Sequence, residues 1–349
     1  MALDPLYRSV TDLFPLAGSA PTRRVGLEQE LITRDADGGS VVRIERVRRV
    51  ARRAAYAAVL GFEPGGQVEL SLPCSPTVTG LGQQWRAAMG ALRADCARTG
   101  VLLDAVPVDE RGEHVPLQLL SPRYACMQQH FERIGPAGRR MMRRTASTQL
   151  CLDWWPGAAG LEQWRLMQLA GPFLAASFSR SHGPRSRLAT WLAVDPGRTA
   201  FDDRLVTGAD PIRAYAQFAA AAPAWCPTPA EHLTTLFPPV RPRGRYLEVR
   251  HLDVQRDELL AAVASLFATL LYDDECRRSA SRVMSGEHTR LAEHWRTAAA
   301  DPAALMDRGG TLVEIGLEGM SRAPHGYLPP DVGPRLREHL ESRDLLGAA

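Results

Sequence analysis

Residues 24–33 read RVGLEQELIT, and this alternation is the strongest single constraint on the fold. Along a strand successive side chains point to opposite faces, so Glu28 and Glu30 stand together on one face and Leu27 and Leu31 on the other. The chain must therefore build a sheet that buries one side and carries two carboxylates on its reverse. Residues 67–72, 145–153, 190–194 and 246–252 also read as strands, and 101–108 as an extended segment. Amphipathic periodicity predicts helices over 43–60, 80–99, 160–180 and most of 255–307. Two more, at 121–134 and 210–222, open on Ser121-Pro122 and Asp210-Pro211, an N-cap followed by proline at the first helical position. Turns are expected at 35–40 and at Gly65-Gly66. The proline-rich stretch 235–243 and the glycine- and proline-punctuated tail from Met306 read as loops, with a final helix near 333–343. Short strands isolated between helices, without βαβ regularity, place the chain in the α+β class.

Composition narrows the chemistry. None of the 349 residues is lysine; every cationic side chain is arginine. P-loop NTPases, protein kinases and Schiff-base enzymes are thereby excluded in their usual forms, because each places a lysine on phosphate or carbonyl. The six cysteines form no C-x-x-C pair and read as free thiols. The net charge of +3 is too mild for a nucleic-acid domain, and the run Arg139, Arg140, Arg143, Arg144 lacks aromatic interleaving. The opening MALDPLYRSV has no apolar export core, and no stretch of about 18 uncharged apolar residues could span a membrane. A cytoplasmic protein is expected.

Acids concentrate on three strand-like elements. Glu28 and Glu30 lie two residues apart, about 7 Å at ~3.3 Å per residue. Like charges so placed are relieved by a hard cation such as Mg²⁺, which keeps substrate phosphates among its ligands, although taken alone the pattern is more often a solvated strand face. In FEPGGQVELS the glycine pair permits a tight turn that lets Glu63 and Glu69 converge. In RYLEVRHLD, alternation sets Tyr246, Glu248, Arg250 and Leu252 on one face. A salt-bridged strand explains that last pattern as well as a nucleotide–metal site does.

Taken in order, VGLEQE, FEPGGQVELS, SPRYACMQQHFERIGPAGRRMM, TASTQLCLD, SRLATWLAVDPGRTAF and HLTTLFPPVRPRGRYLEVRHLD resemble the glutamate–cysteine ligase family. The likeness is greatest to its plant-type branch and to the actinobacterial enzymes that begin ergothioneine synthesis. It runs from Val25 to Asp253, about two-thirds of the chain. The resemblance implies a glutamine synthetase-like fold, a curved and mainly antiparallel sheet forming a funnel with helices packed outside. It implies a single catalytic domain over 1–349, with a core at 20–275 and a helical extension at 276–349. Glu28, Glu30, Glu63, Glu69 and Glu248 would take the places of the magnesium ligands around ATP. Arg250 would contact the transferred phosphate, Arg187 a glutamate carboxylate, and Gln149 bound substrate. Arg123 and Tyr124 fall in a matching motif and read as helix-packing residues.

The implied reaction activates the γ-carboxylate of glutamate as an acyl phosphate, which the amine of cysteine or a similar amino acid displaces. A different amine acceptor and a catalytically silent nucleotide-binding homologue are the alternatives. Two departures bear on the acceptor. Relatives commonly read Q-V-N-L-D where this chain has Gln149-Leu150-Cys151-Leu152-Asp153, and the segment before His232 is short. Both predict a more open, less polar amine pocket.

Overall fold

The computed structural model describes residues 3–347 except 16, 39, 40, 112 and 113, with side chains described as far as 342. The predicted turn at 35–40 thus lies partly outside the described residues. Among the described residues, seven strands form one open sheet: β1 (Val25–Asp35), β2 (Leu60–Phe62), β3 (Val68–Ser75), β4 (Val101–Asp104), β5 (Ser147–Asp153), β6 (Val240–Arg243) and β7 (Tyr246–Asp253). The order is β2-β3-β1-β5-β7-β6, β4 pairs with the end of β1, and every pairing is antiparallel. The α+β expectation holds, with helices packed around an open antiparallel sheet.

The sheet has two unlike faces. Leu27, Leu31, Leu150, Leu247 and Val249 are buried on the rear, against helices Val78–Ala97, Gly157–Ser177 and Asp257–Tyr272. Gln29 also points rearward, where it donates to the Gln255 carbonyl at 2.7 Å and accepts from Thr148 Oγ1 at 2.5 Å, so burying it leaves no amide unmet. Helices Pro122–Ile134, Ala137–Arg144 and Arg187–Leu192 stand over the front. Beyond residue 276 the helices pack back on this body; helix Met306–Met320 lies along Asp257–Tyr272, and Tyr327 Oη donates to the Arg23 carbonyl at 2.5 Å.

Local chemistry explains where expectation and structure part. The strand expected at 190–194 is instead helix Arg187–Leu192, because Ser186 Oγ caps it by accepting from Ala189 N at 3.1 Å. The predicted 43–60 helix stops at Ala51, then gives a short 3₁₀ turn and β2, whose edge pairing with β3 outweighs alanine's helix preference. The supposed loop 235–243 ends in strand β6, whose Pro242 an edge strand tolerates. The tail from Met306 holds a 15-residue helix.

Two irregularities aim residues at the front face. On β7, Arg250 and His251 together oppose Gln149, since Thr148 pairs with Leu252 and Leu150 with Val249. This bulge keeps Arg250 forward and turns Leu252 to the rear beside Thr148, which corrects the simple alternation of the sequence. The second is the hairpin between β2 and β3. There Glu63 N donates to the Gln67 carbonyl at 2.9 Å and Gly66 adopts φ +97°, a conformation costly for any side chain. At Gly65 the backbone of Arg143 comes so close that an added Cβ would collide with its carbonyl. Gly65→Ala should therefore lower unfolding free energy by ~1–3 kcal/mol in urea titrations, as overpacking does. An unchanged midpoint would contradict this close approach.

Candidate active site

The front face gathers its acids by register. Glu30 pairs with Glu69 across β1 and β3, Glu28 pairs with Gln149 across β1 and β5, and Cys151 pairs with Glu248 across β5 and β7. The hairpin adds Glu63. Among the described residues, carboxylate oxygens of Glu30, Glu63 and Glu69 come within 4.8 Å of one another. Burial raises the carboxyl of Glu63 well above its usual range, and Glu30 and Glu69 push it further. Burial and then Glu30 lift Glu69 to about 7; burial, then Glu248 and Glu69, lift Glu28 to about 7. Burial also raises Glu30, against the pull of Arg187 and Ser147. Three oxygen donors held this close against their own repulsion suit a hard divalent cation.

Glu248 is different. Burial works to raise it too, but Arg241 and Arg250 outweigh that and hold it down at about 2. Arg241 grips both of its oxygens, Nε to Oε2 at 2.5 Å and Nη2 to Oε1 at 3.0 Å, a bidentate pair. The five acids expected as ligands thus divide: three converge, Glu248 is claimed by an arginine, and Glu28 stands between the two groups.

A polar chain links the acids to Arg250. Gln149 Nε2 donates to Glu30 Oε1 at 3.0 Å, while Gln149 Oε1 accepts from Arg250 Nε at 3.2 Å. Ser147 N holds the other Glu30 oxygen at 2.8 Å. Arg250 Nη1 is buried without a partner. Arg187 lies beneath, donating from Nη2 to the Arg250 carbonyl at 2.8 Å and from Nη1 to that of His251 at 3.3 Å. It therefore clamps the bulge itself. Trp191 offers its ring to both guanidinium groups, at 4.7 Å for Arg187 and 5.5 Å for Arg250.

All eight residues singled out in the sequence line one cavity. Arg123 and Tyr124 line it too, rather than serving helix packing alone, and Arg123 Nη2 donates to the Thr234 carbonyl at 3.1 Å across the mouth. Sequence reasoning missed Arg241, Trp191 and Met127. Each sits in a matched motif, Arg241 in that of Glu248, Trp191 in SRLATWLAVDPGRTAF and Met127 in SPRYACMQQHFERIGPAGRRMM, so the motifs held a signal for all three. Cys151 shares the face but is buried beside Gly26, outside the cavity lining. The short segment after Ala222 is firmly seated: Trp225 lies between His130, stacked at 4.6 Å, and the Arg198 guanidinium, 3.9 Å from its ring. The expectation of an open pocket loses the support it drew from Cys151.

Comparison with known proteins bears on the family of the chain. The family model described as Glutamate-cysteine ligase family 2 (GCS2) matches residues 24–308. The glutamate–cysteine ligase EgtA of Mycolicibacterium smegmatis is 33% identical over 282 residues, covering 68% of this chain and 64% of that protein. The chloroplastic glutamate–cysteine ligase of Arabidopsis thaliana is 26% identical over 260 residues, 62% of this chain and 49% of its own length. This chain thus spans less than two-thirds of either relative. A crystal structure of glutamate–cysteine ligase from Francisella tularensis in complex with AMP superposes with a TM-score of 0.44 at 10% identity, over 96% of this chain and 95% of that one.

The crowded carboxylates make stability depend on pH. Glu28 and Glu69 bind a proton more tightly folded, near 7, than unfolded, near ~4.3. Their contribution is complete below about 4.3 and lost as pH rises through about 7. Without divalent cations, Tm should fall between pH 5 and 8, and the rise in Tm on adding Mg²⁺ should grow over the same interval. A Tm increment from Mg²⁺ that is equal at both ends would contradict the cation cluster.

Proposed function

The chain belongs to Glutamate-cysteine ligase family 2, and from that premise we propose that it joins the γ-carboxylate of glutamate to the amine of a small amino acid, cysteine foremost, using ATP. The observation that carries this reading is the opposition of the Glu30–Glu63–Glu69 cluster to Arg250, a guanidinium with a buried, unpartnered nitrogen. One side binds cations and the other anions, the two requirements of phosphoryl transfer.

Glu30, Glu63 and Glu69 would hold Mg²⁺, with Glu28 as a further ligand; the cation supplies charge neutralisation on the phosphates of ATP. A γ-carboxylate oxygen of glutamate attacks the terminal phosphorus and ADP departs. The neutral amine then attacks the acyl carbon, and phosphate leaves with that carboxylate oxygen and takes up the proton the amine gives up. Arg250 offers its free nitrogen to the oxygens of the phosphoryl group in flight, where an interaction strengthened in the transition state has most effect. Gln149 keeps Arg250 and Glu30 at a fixed separation. Arg187, with donors left over after clamping the bulge, receives a carboxylate of glutamate. Arg241 keeps Glu248 ionised until cation and nucleotide arrive. No step requires a lysine or a covalent enzyme intermediate.

The assay is phosphate release with glutamate and ATP against a panel of amino acids, with the mass of each product recorded. Phosphate release and a γ-glutamyl product are expected with cysteine; release with no amino acid in the panel would overturn the reading. In the same assay Glu→Gln at position 28, 30, 69 or 248 should each lower turnover by at least ~10²-fold, since every 1.36 kcal/mol is tenfold and cation stabilisation contributes several. Arg250→Lys should lower kcat more than it raises the KM for glutamate, and Arg187→Lys should mainly raise that KM. The reverse pattern would exchange the two roles.

A further inference from the structure

The chain between helices Gly157–Ser177 and Arg187–Leu192 is organised by one carboxylate oxygen. Asp253, the last residue of β7, is buried, and its Oδ2 accepts from Arg180 N at 2.8 Å and from Ser181 Oγ at 2.9 Å. Ser181 Oγ accepts in turn from Arg187 N at 3.1 Å. A hydroxyl has one proton and two lone pairs, so Ser181 can give to the carboxylate and receive from the amide at once. The carboxylate fixes the direction of this relay, because when ionised it can only accept.

The guanidinium of the same arginine returns to β7, where it holds the carbonyls of Arg250 and His251. Arg187 is thus tied to one strand at both ends, its main chain through Ser181 to Asp253 and its side chain to the bulge. A long side chain held only at its tip would keep freedom that carboxylate binding must remove, and fixing both ends removes it beforehand. Burial lowers the hold of Arg187 on its proton, and Asp253, followed by Glu30, works against that. Arg187 lines the front cavity; Asp253 and Ser181 do not, so neither meets a substrate there. The loop has a second anchor, Gly183 N to the Ala299 carbonyl at 2.9 Å, which does not involve Ser181.

We propose that Asp253 is a positioning residue: acting through Ser181, it sets the place and direction of Arg187 and so the affinity of the front face for the carboxylate of glutamate. That the carboxylate is glutamate's rests on the ligase reading; the tie between the three residues does not. The strand that carries Glu248 and Arg250 thereby also aligns the arginine for the second anion, which keeps the two arginines in register with each other.

The test is a double-mutant cycle on glutamate affinity, measured by calorimetric titration of the full chain with Mg²⁺ and a non-hydrolysable ATP analogue present. Ser181→Ala and Asp253→Ala should each weaken glutamate binding by at least ~5-fold, about what one lost hydrogen bond is worth. In an Arg187→Lys background the same changes should cost less than ~2-fold, because residues that act through one another do not add. In turnover, the KM for glutamate should rise more than kcat falls. Thermal unfolding establishes which variants fold, and Ser181→Ala decides alone if Asp253→Ala does not. Unchanged affinity in a folded variant, or an equal loss in the Arg187→Lys background, would overturn the proposal and assign Asp253 to holding the loop; a γ-glutamyl product from the unaltered chain would then leave the ligase reading standing. The predicted cycle without any such product would sustain the proposal and remove the ligase reading, and an unaltered chain that binds no glutamate would overturn both.

Discussion

Like charges on Glu30, Glu63 and Glu69 are held closer than a desolvated cavity tolerates, and much of the surrounding structure exists to hold them there. Register sets Glu30 against Glu69, and the hairpin at Gly65 and Gly66 delivers Glu63. Burial makes the repulsion worse rather than better, since it denies the carboxylates the water that would screen them. A fold that accepts this cost at one point must recover it elsewhere, here in the apolar rear face and the helices that cover it. The arrangement makes sense when a cation occupies the cluster.

With no lysine in the chain, the opposing charge falls entirely to arginine, and the structure uses the planar geometry of that side chain throughout. Arg241 grips Glu248 with two parallel bonds, Arg187 reaches two successive carbonyls of the bulge, and Arg250 lies near the rings of Trp191 and Phe237. A compact ammonium could reproduce none of these forks. The bulge on β7 is the hinge of the design, because Arg250 projects beside Gln149 there and Arg187 fixes the carbonyls that define it.

How far the sequence disclosed this varies with the kind of signal. Glu28 and Glu30 could be placed on one face because strand alternation is a two-residue rule needing no tertiary knowledge. Glu63 and Glu69 followed from a glycine pair whose conformational freedom is local. The Leu252 error arose because a bulge is set by pairing with a second strand, which a single strand's pattern does not carry. Helix Arg187–Leu192 was misread because Thr190 and Trp191 favour strands, while the deciding Ser186 cap lies outside the segment considered. The binding of Glu248 by Arg241 depends on β6 being a strand at all, and Pro242 with the two prolines before the strand concealed that.

The account rests on the front face activating a carboxylate by phosphoryl transfer. Glutamate labelled with ¹⁸O in its γ-carboxylate tests this most directly, by mass analysis of the phosphate released during turnover with ATP and cysteine. Passage through an acyl phosphate predicts one labelled oxygen in each phosphate. Unlabelled phosphate accompanying a γ-glutamyl product would contradict it.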